Sequence, residues 1–311
     1  MKMMNKLALV LLSAATSAVT LVSGASSANA ATIRAFGLTR NNQLLSFGID
    51  DPSQVRAIDV SGVNGRLRGV DFRPANGLLY GISTTDDIYT IDTNTGAATL
   101  ESMLSPRKFR GGQRSGFDFN PAADALRLEG SNDQNFRINV DNGQLADGNP
   151  DRPGVQPDGN LAYAPGDVNE GVDPTITAAA YTNSFPGQPA GRSTQLYAID
   201  SELDILTLQN PPNDGTLNTI GSLGIDFGRF GGFDIFSPAS GDNTAYAATN
   251  SIFYGIDLAT GEATNFGTIG DGSYRIAGLA TTQVPEPASI AALLGFGAFA
   301  FSRRRASKKD A

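Results

Sequence analysis

Most of the side chains in this sequence that could do chemistry are carboxylates. Three of them recur at one place in a repeated pattern, small-x-Asp-apolar-x-Pro. Asp71 stands in Gly69-Val70-Asp71-Phe72-Arg73-Pro74, and Asp118 in Gly116-Phe117-Asp118-Phe119-Asn120-Pro121. Asp234 stands in Gly232-Phe233-Asp234-Ile235-Phe236-Ser237-Pro238, which is one residue longer. Three carboxylates gathered by the fold would bind a cation or a sugar hydroxyl. A repeated position equally suits a structural duty, with each Asp fixing the turn before its own Pro. Four arginines, Arg68, Arg114, Arg229 and Arg275, stand one to three residues ahead of the strands that belong to this pattern. Together they would form a positive rim able to hold a carboxylate or sulfate through paired N–H donors. Singly, they would pair with the nearby repeat aspartates.

Other chemistries lack their side chains. The chain has no His, no Cys and no Trp. That removes the Ser-His-Asp triad, thiolate nucleophiles, disulfides and cysteine-held metal clusters. Lys108 is the only lysine between Ala31 and Glu286, so amine catalysis has one candidate and no visible partner. A glycosidase needs only two carboxyl groups. Between Ala31 and Gln283 the glutamates are few (Glu101, Glu129, Glu170, Glu202, Glu262), and most aspartates lie in turn contexts. Asp226-Phe227-Gly228 matches a kinase triplet but lacks the lysine strand and catalytic loop. The stretch 147–174 is rich in Pro, Gly and acids. Its Asp167, Asn169, Glu170 and Asp173 are candidate calcium ligands, although EF-hand spacing is absent. A solvated loop explains the same composition.

The elements that must position these groups read as strands. Each pattern runs into an apolar strand, such as Leu79-Tyr80-Gly81-Ile82, Leu126-Arg127-Leu128 or Ala245-Tyr246-Ala247-Ala248. A second hairpin follows, as in Ile88-Tyr89-Thr90-Ile91-Asp92-Thr93-Asn94-Thr95-Gly96 and Ile252-Phe253-Tyr254-Gly255-Ile256-Asp257-Leu258-Ala259-Thr260-Gly261. Alternation gives the strands, and the Asp and Gly residues give the turn. Ile176-Thr177-Ala178-Ala179-Ala180-Tyr181 holds the third place without the Asp and Pro. Starts at Gly69, Gly116 and Gly232 lie 47 and then 116 residues apart, the second gap fitting two units. Units of this length with about four strands predict β-propeller blades.

The expected fold is all-β, a single five-bladed β-propeller, with a β-sandwich as the alternative. The blades fall at 69–105, 115–148, 175–212, 229–270, and 274–281 joined to 32–62. Pairing of the N- and C-terminal strands in the last blade would close the ring and remove open edges.

Both ends read as addresses. Lys2 and Lys6, the apolar run to Val22, and Ala28-Asn29-Ala30 form a secretory signal peptide over 1–30, cut by signal peptidase before Ala31. At the other end, Val284-Pro285-Glu286-Pro287 precedes an uncharged run, 288–301, and then Arg303-Arg304-Arg305. That run spans about 21 Å as a helix, short of a ~30 Å hydrocarbon core, so it predicts transient membrane anchoring. With both ends set aside, 16 basic and 30 acidic side chains remain between Ala31 and Pro287. A domain this acidic repels nucleic acid and leaves it an unsuitable partner.

The C-terminal arrangement resembles the PEP-CTERM sorting signal over 284–311. The resemblance implies cleavage near the Pro-Glu-Pro motif by an exosortase, in a Gram-negative-type envelope that often makes exopolysaccharide. Within the expected domain 31–283, the stretch of about 32–281 resembles domain of unknown function 4394. It does so through Phe36-Gly37-Leu38-Thr39, Arg68-Gly69-Val70-Asp71-Phe72-Arg73-Pro74 with Leu79-Tyr80-Gly81, and Gly116-Phe117-Asp118-Phe119-Asn120-Pro121. That resemblance implies a propeller-like fold and offers no activity, so it does not decide function. The expected protein is exported to the envelope or extracellular matrix and held at first by its C-terminus. There it serves as a non-catalytic binding or structural module needing no cofactor, with extracellular polysaccharide as a candidate partner. The alternatives are a carboxylate-based polysaccharide hydrolase or lyase, and a calcium-dependent binding module.

Overall fold

The computed structural model describes residues 32–187 and 191–284. Ala28, Ala30 and Ala31 of the expected signal cleavage, and Pro285, Glu286, Pro287, Arg303, Arg304 and Arg305 of the sorting segment, lie outside the described residues.

Local turn chemistry sets the hairpins. Asp92 Oδ1 accepts hydrogen bonds from the amides of Asn94 and Thr95, both at 2.8 Å, and Gly96 then takes a φ of 76°. Asp257 repeats the device with the amides of Ala259 and Thr260, closed by Gly261 at φ 87°. A side-chain acceptor fixes the first half of each turn, and glycine supplies the left-handed residue that ends it.

Five small sheets result. With strands numbered along the chain, the first blade is β4 (Leu67–Phe72), β5 (Leu79–Ser83), β6 (Asp87–Ile91) and β7 (Ala98–Met103). The second is β8 (Ser115–Asn120), β9 (Ala125–Gly130), β10 (Asn135–Asn139) and β11 (Gln144–Leu145). The third is β13 (Ile176–Tyr181), β14 (Leu196–Asp200), β15 (Ile205–Gln209) and β16 (Thr216–Ser222), with β12 (Ala162–Tyr163) added parallel at its outer edge. The fourth is β17 (Gly231–Ala239), β18 (Asp242–Thr249), β19 (Ile252–Ile256) and β20 (Ala263–Thr268).

The fifth blade joins the two ends. Its inner strand is β21 (Ile276–Val284), followed outward by β1 (Thr32–Thr39), β2 (Gln43–Gly48) and β3 (Asp51–Asp59). Phe36 stands opposite Ala280 and Gly37 opposite Leu279 in the closing ladder. The inner strands β4, β8, β13, β17 and β21 each contact the next, and β21 returns to β4. The molecule is therefore a five-bladed β-propeller, as the repeat predicts. Several boundaries differ: β4 starts at Leu67, β21 runs on to Val284, and β12 joins the third blade from the 147–174 insertion. The third blade continues past residue 212 to Ser222, because the turn at Pro212–Asp214 reverses the chain into the outer strand β16.

Four of the five blade interfaces have apolar centres. Tyr80 and Ile82 meet Phe117 and Leu128 between the first two blades. Ile199 meets Phe233 between the third and fourth, and Phe253 meets Phe47 between the fourth and fifth. Leu38 meets Leu67 where the ring closes. The second and third blades are joined differently, through Arg127, Tyr181, Asn135, Asn213 and Asp158. Asp158 comes from the 147–174 insertion, only 3% exposed. That insertion is therefore partly a wedge between blades and not a wholly solvated loop.

The small residue that opens each repeat has a reason at the axis. A Cβ on Gly232 would stand 2.2 Å from the Leu279 amide, and one on Gly69 2.4 Å from the Phe117 Cβ. The inner strands approach so closely that only glycine fits between them.

Candidate functional site: an axial aspartate cup

Just past these glycines, the inner strands bring the three repeat aspartates together. Oxygens of Asp71, Asp118 and Asp234 all lie within 4.8 Å of one another, and all three side chains are buried. Each Asp also ties its blade to the next one. Asp71 Oδ2 accepts the Phe119 amide at 2.9 Å, and its Oδ1 accepts the Phe72 amide at 2.7 Å. Asp234 Oδ1 accepts the Ile235 amide at 2.7 Å, while its Oδ2 accepts both the amide and the hydroxyl of Thr281. Asp118 takes its hydrogen bond from the Tyr181 backbone, leaving Oδ1 with no donor. Each Asp thus bonds to the following blade, Asp71 and Asp234 to their own strand as well, and none of these bonds fixes the turn before its own Pro. By the same register, Ala180 and Ala280 occupy the Asp position in the third and fifth blades.

Burial without a counter-charge raises these carboxyls. Burial lifts Asp71, and the Asp234 charge adds to it. Burial lifts Asp118, followed by repulsion from Asp71 and Asp234. Asp234 is pushed up to about 6 by burial, with the Thr281 and Ile235 donors pulling the other way. Above Asp71 and Asp234 opens a cup of about 150 Å³, walled by Phe236, Pro238, Thr282 and Gln283. Arg73 also borders the cup, but its guanidinium is held by Asp124 at 2.7 Å and Asp141 at 2.6 Å.

The structure does not join the arginines and aspartates into one rim. Arg68 and Asp71 are three residues apart on β4, about 10 Å along a strand, so the two sets lie at opposite ends of the inner strands. Arg68 is 2% exposed, paired with Asp86 at 3.0 Å and donating to the carbonyls of Phe109 and Gly112. Its partner is not a repeat Asp. Arg229 and Arg275 are exposed and Arg114 is half-buried.

The calcium candidates of 147–174 are occupied by protein donors. Asp167 takes the amide and hydroxyl of Thr219, each at 2.7 Å, and Asn169 also donates to that hydroxyl. Glu170 accepts the Gly166 amide at 2.8 Å. These bonds dock the loop onto β16, and with Asp173 the four residues do not converge as the axial three do.

One feature escaped sequence reasoning. Arg107, Lys108 and Arg110 surround a hollow of about 390 Å³ together with Gln134, Asn135 and Asn160. The run Arg107-Lys108-Phe109-Arg110-Gly111-Gly112-Gln113-Arg114 was the available signal: four cations in eight residues of an acidic domain.

A closed five-bladed propeller with a buried acidic cup on its axis defines the class. The chain belongs to the family described as Domain of unknown function (DUF4394), which matches residues 43–280. A second match, to the PEP-CTERM protein-sorting motif, covers residues 283–306. That motif marks an exported protein, anchored in the membrane at its C-terminus and recognised by an exosortase. Among the described residues, no helix is long and apolar enough to cross a membrane. No curated protein matches the sequence.

Among solved structures, the chain is similar to a protein of unknown function from Bacteroides thetaiotaomicron VPI-5482. Identity is 17%, coverage 76% of this chain and 58% of that one, and the TM-score 0.38. It is also similar to an auxiliary nutrient binding protein from Bacteroides ovatus ATCC 8483, at 14% identity, covering 68% and 55%, with a TM-score of 0.36. The WD40 beta propeller domain of Doa1 matches at 11% identity, covering 79% and 71%, with a TM-score of 0.37. The chain thus spans under two thirds of the length of the first of these.

Proposed function

We propose that this protein is an exported module of the cell envelope or extracellular matrix that binds rather than catalyses, and that its ligand is acidic extracellular polysaccharide. The observation that supports this reading is the basic loop 107–114. Among the described residues, ion pairs use Arg68, Arg73, Arg127 and Arg137, and none involves the loop's own four cations. The loop is held in shape from beneath. Gln134 accepts the Arg110 amide at 2.6 Å and donates to the Lys108 carbonyl, while Arg68 holds the carbonyls of Phe109 and Gly112. Arg107 donates to the Val155 carbonyl and the Gln156 side chain, each at 3.2 Å, and cations on a backbone so held, beside amide side chains, suit the carboxylates and hydroxyls of an acidic glycan. Passage through an exosortase system supports the envelope setting. The hydrolase or lyase reading calls for two carboxyls facing across an open cleft. The carboxyls that converge here are buried and bonded to backbone amides, which gives that reading no support.

Affinity electrophoresis in gels containing a uronate-rich polysaccharide tests the proposal. Retardation is expected there and not in neutral dextran, weakening as salt rises. The triple variant Arg107→Ala, Lys108→Ala, Arg110→Ala should lose about tenfold or more in affinity, at roughly 1.4 kcal/mol per decade. Equal mobility of variant and parent would refute the loop as the binding surface.

A further inference from the structure

We propose that Asp71, Asp118 and Asp234 form an axial divalent-cation site, with calcium as the cation it suits. Each ligand comes from a different inner strand, so the site exists only in the closed ring. The three carboxylates converge to within 4.8 Å with no basic side chain among them. Every ion pair of the described residues lies elsewhere, on Asp86, Asp124, Asp141, Asp158 and Glu129. Three buried like charges without a counter-charge are costly unless they take up protons or a cation.

A second observation points to a ligand. The Asp118 side chain is 1% exposed, yet its Oδ1 meets no donor from the protein. A buried carboxylate oxygen is rarely left so. The interblade amide bonds do not account for the gathering of the acids. Two of the five blades do without an Asp, with Ala180 and Ala280 in its place, and the ring still closes there. Nor do those bonds exhaust the acids, because each carboxylate oxygen carries two lone pairs. An all-oxygen, anionic donor set, with room for waters in the cup that Asp71 and Asp234 line, matches the loose, oxygen-rich coordination of calcium. Magnesium demands tighter octahedral geometry and gives up its waters reluctantly.

The site is independent of the basic loop, and its test reads neither glycan nor polysaccharide. The purified exported protein is dialysed against chelator, then titrated calorimetrically with calcium chloride and melted with and without it. One ion per chain is expected. So is a rise in Tm of about 5–10 °C at calcium a hundredfold above its Kd. Asp118→Asn should abolish both signals. In chelator it should melt no lower than the parent, since it removes one of three facing charges. Glu170→Gln, in the 147–174 loop, should leave both signals intact. Zero stoichiometry with calcium, magnesium and manganese on the parent protein overturns the proposal. A response that survives Asp118→Asn and vanishes in Glu170→Gln overturns it equally and moves the ion to the loop.

Discussion

Among the described residues, Arg127 heads the large side chains fully removed from solvent, and it explains why one blade interface can be polar. Its guanidinium meets Asp158 at 2.7 Å, Asn135 at 2.6 Å and the Tyr181 hydroxyl at 3.0 Å. Glu129, also fully buried, is pushed up to about 7 by its burial, against the pull of Arg127. With Asp234 at about 6, these raised carboxyls bind protons more tightly folded than unfolded. The stability they add is complete below the ordinary carboxyl range of about 4 and fades as pH rises through 6 to 7. In chelator, Tm should therefore fall between about pH 5 and 8 on their account, and Asp118→Asn should flatten the slope. A Tm that rises across this range would contradict the assignment. The aspartates were legible because they repeat. Arg127 and Glu129 were not, because in Leu126-Arg127-Leu128-Glu129 the polar positions read as an outward face. Alternation separates two faces of a strand but does not reveal that the outer one meets another blade. Asp158 was hidden in the same way by a turn-rich stretch that reads as solvated.

Among the elements, the inner strands carry the most constraint, since they pack both against their own blades and against each other. Gly232→Ala places a methyl group where the β21 backbone already lies, and backbone cannot swing aside as a side chain can. Overpacking of this kind costs about 1–3 kcal/mol or more, so urea denaturation of Gly232→Ala should shift the midpoint down accordingly. Gly77→Ala is a useful contrast. Nothing lies within 4 Å of its added Cβ, although its φ of 70° leaves some strain, and its cost should be the smaller. The hairpins were readable in detail, since Asp92 and Asp257 do what their turn sequences predict. The third blade was readable only in part. It lacks the Asp and Pro markers, and its outer strand follows a proline-rich reversal that looks like a boundary.

At the scale of the molecule, closure rests on one ladder. β21 supplies the inner strand of the blade whose other three strands open the domain, so the fold is complete only when the last segment arrives. A chain stopped at Val284 should keep its Tm within a degree or two but should no longer be processed or retained through its C-terminus. A chain stopped at Arg275 loses the whole closing strand and should emerge unfolded or aggregated, as far-UV circular dichroism and gel filtration would register. Comparable melting of the two truncations would contradict closure by this ladder. Ring architecture was visible in the half-units at the two ends of the domain. The polar seam and the axial cup depend on which faces meet around the ring, and no spacing along the chain encodes that.

The sorting motif begins at residue 283, while β21 ends at Val284, opposite Thr32. Address label and clasp therefore share residues. A protease that trims at the motif works at the edge of the strand that locks the toroid, and a cut a few residues too early would loosen the clasp itself. Sorting and folding thus meet at a single junction, where the start of the motif is hydrogen-bonded beside Thr32.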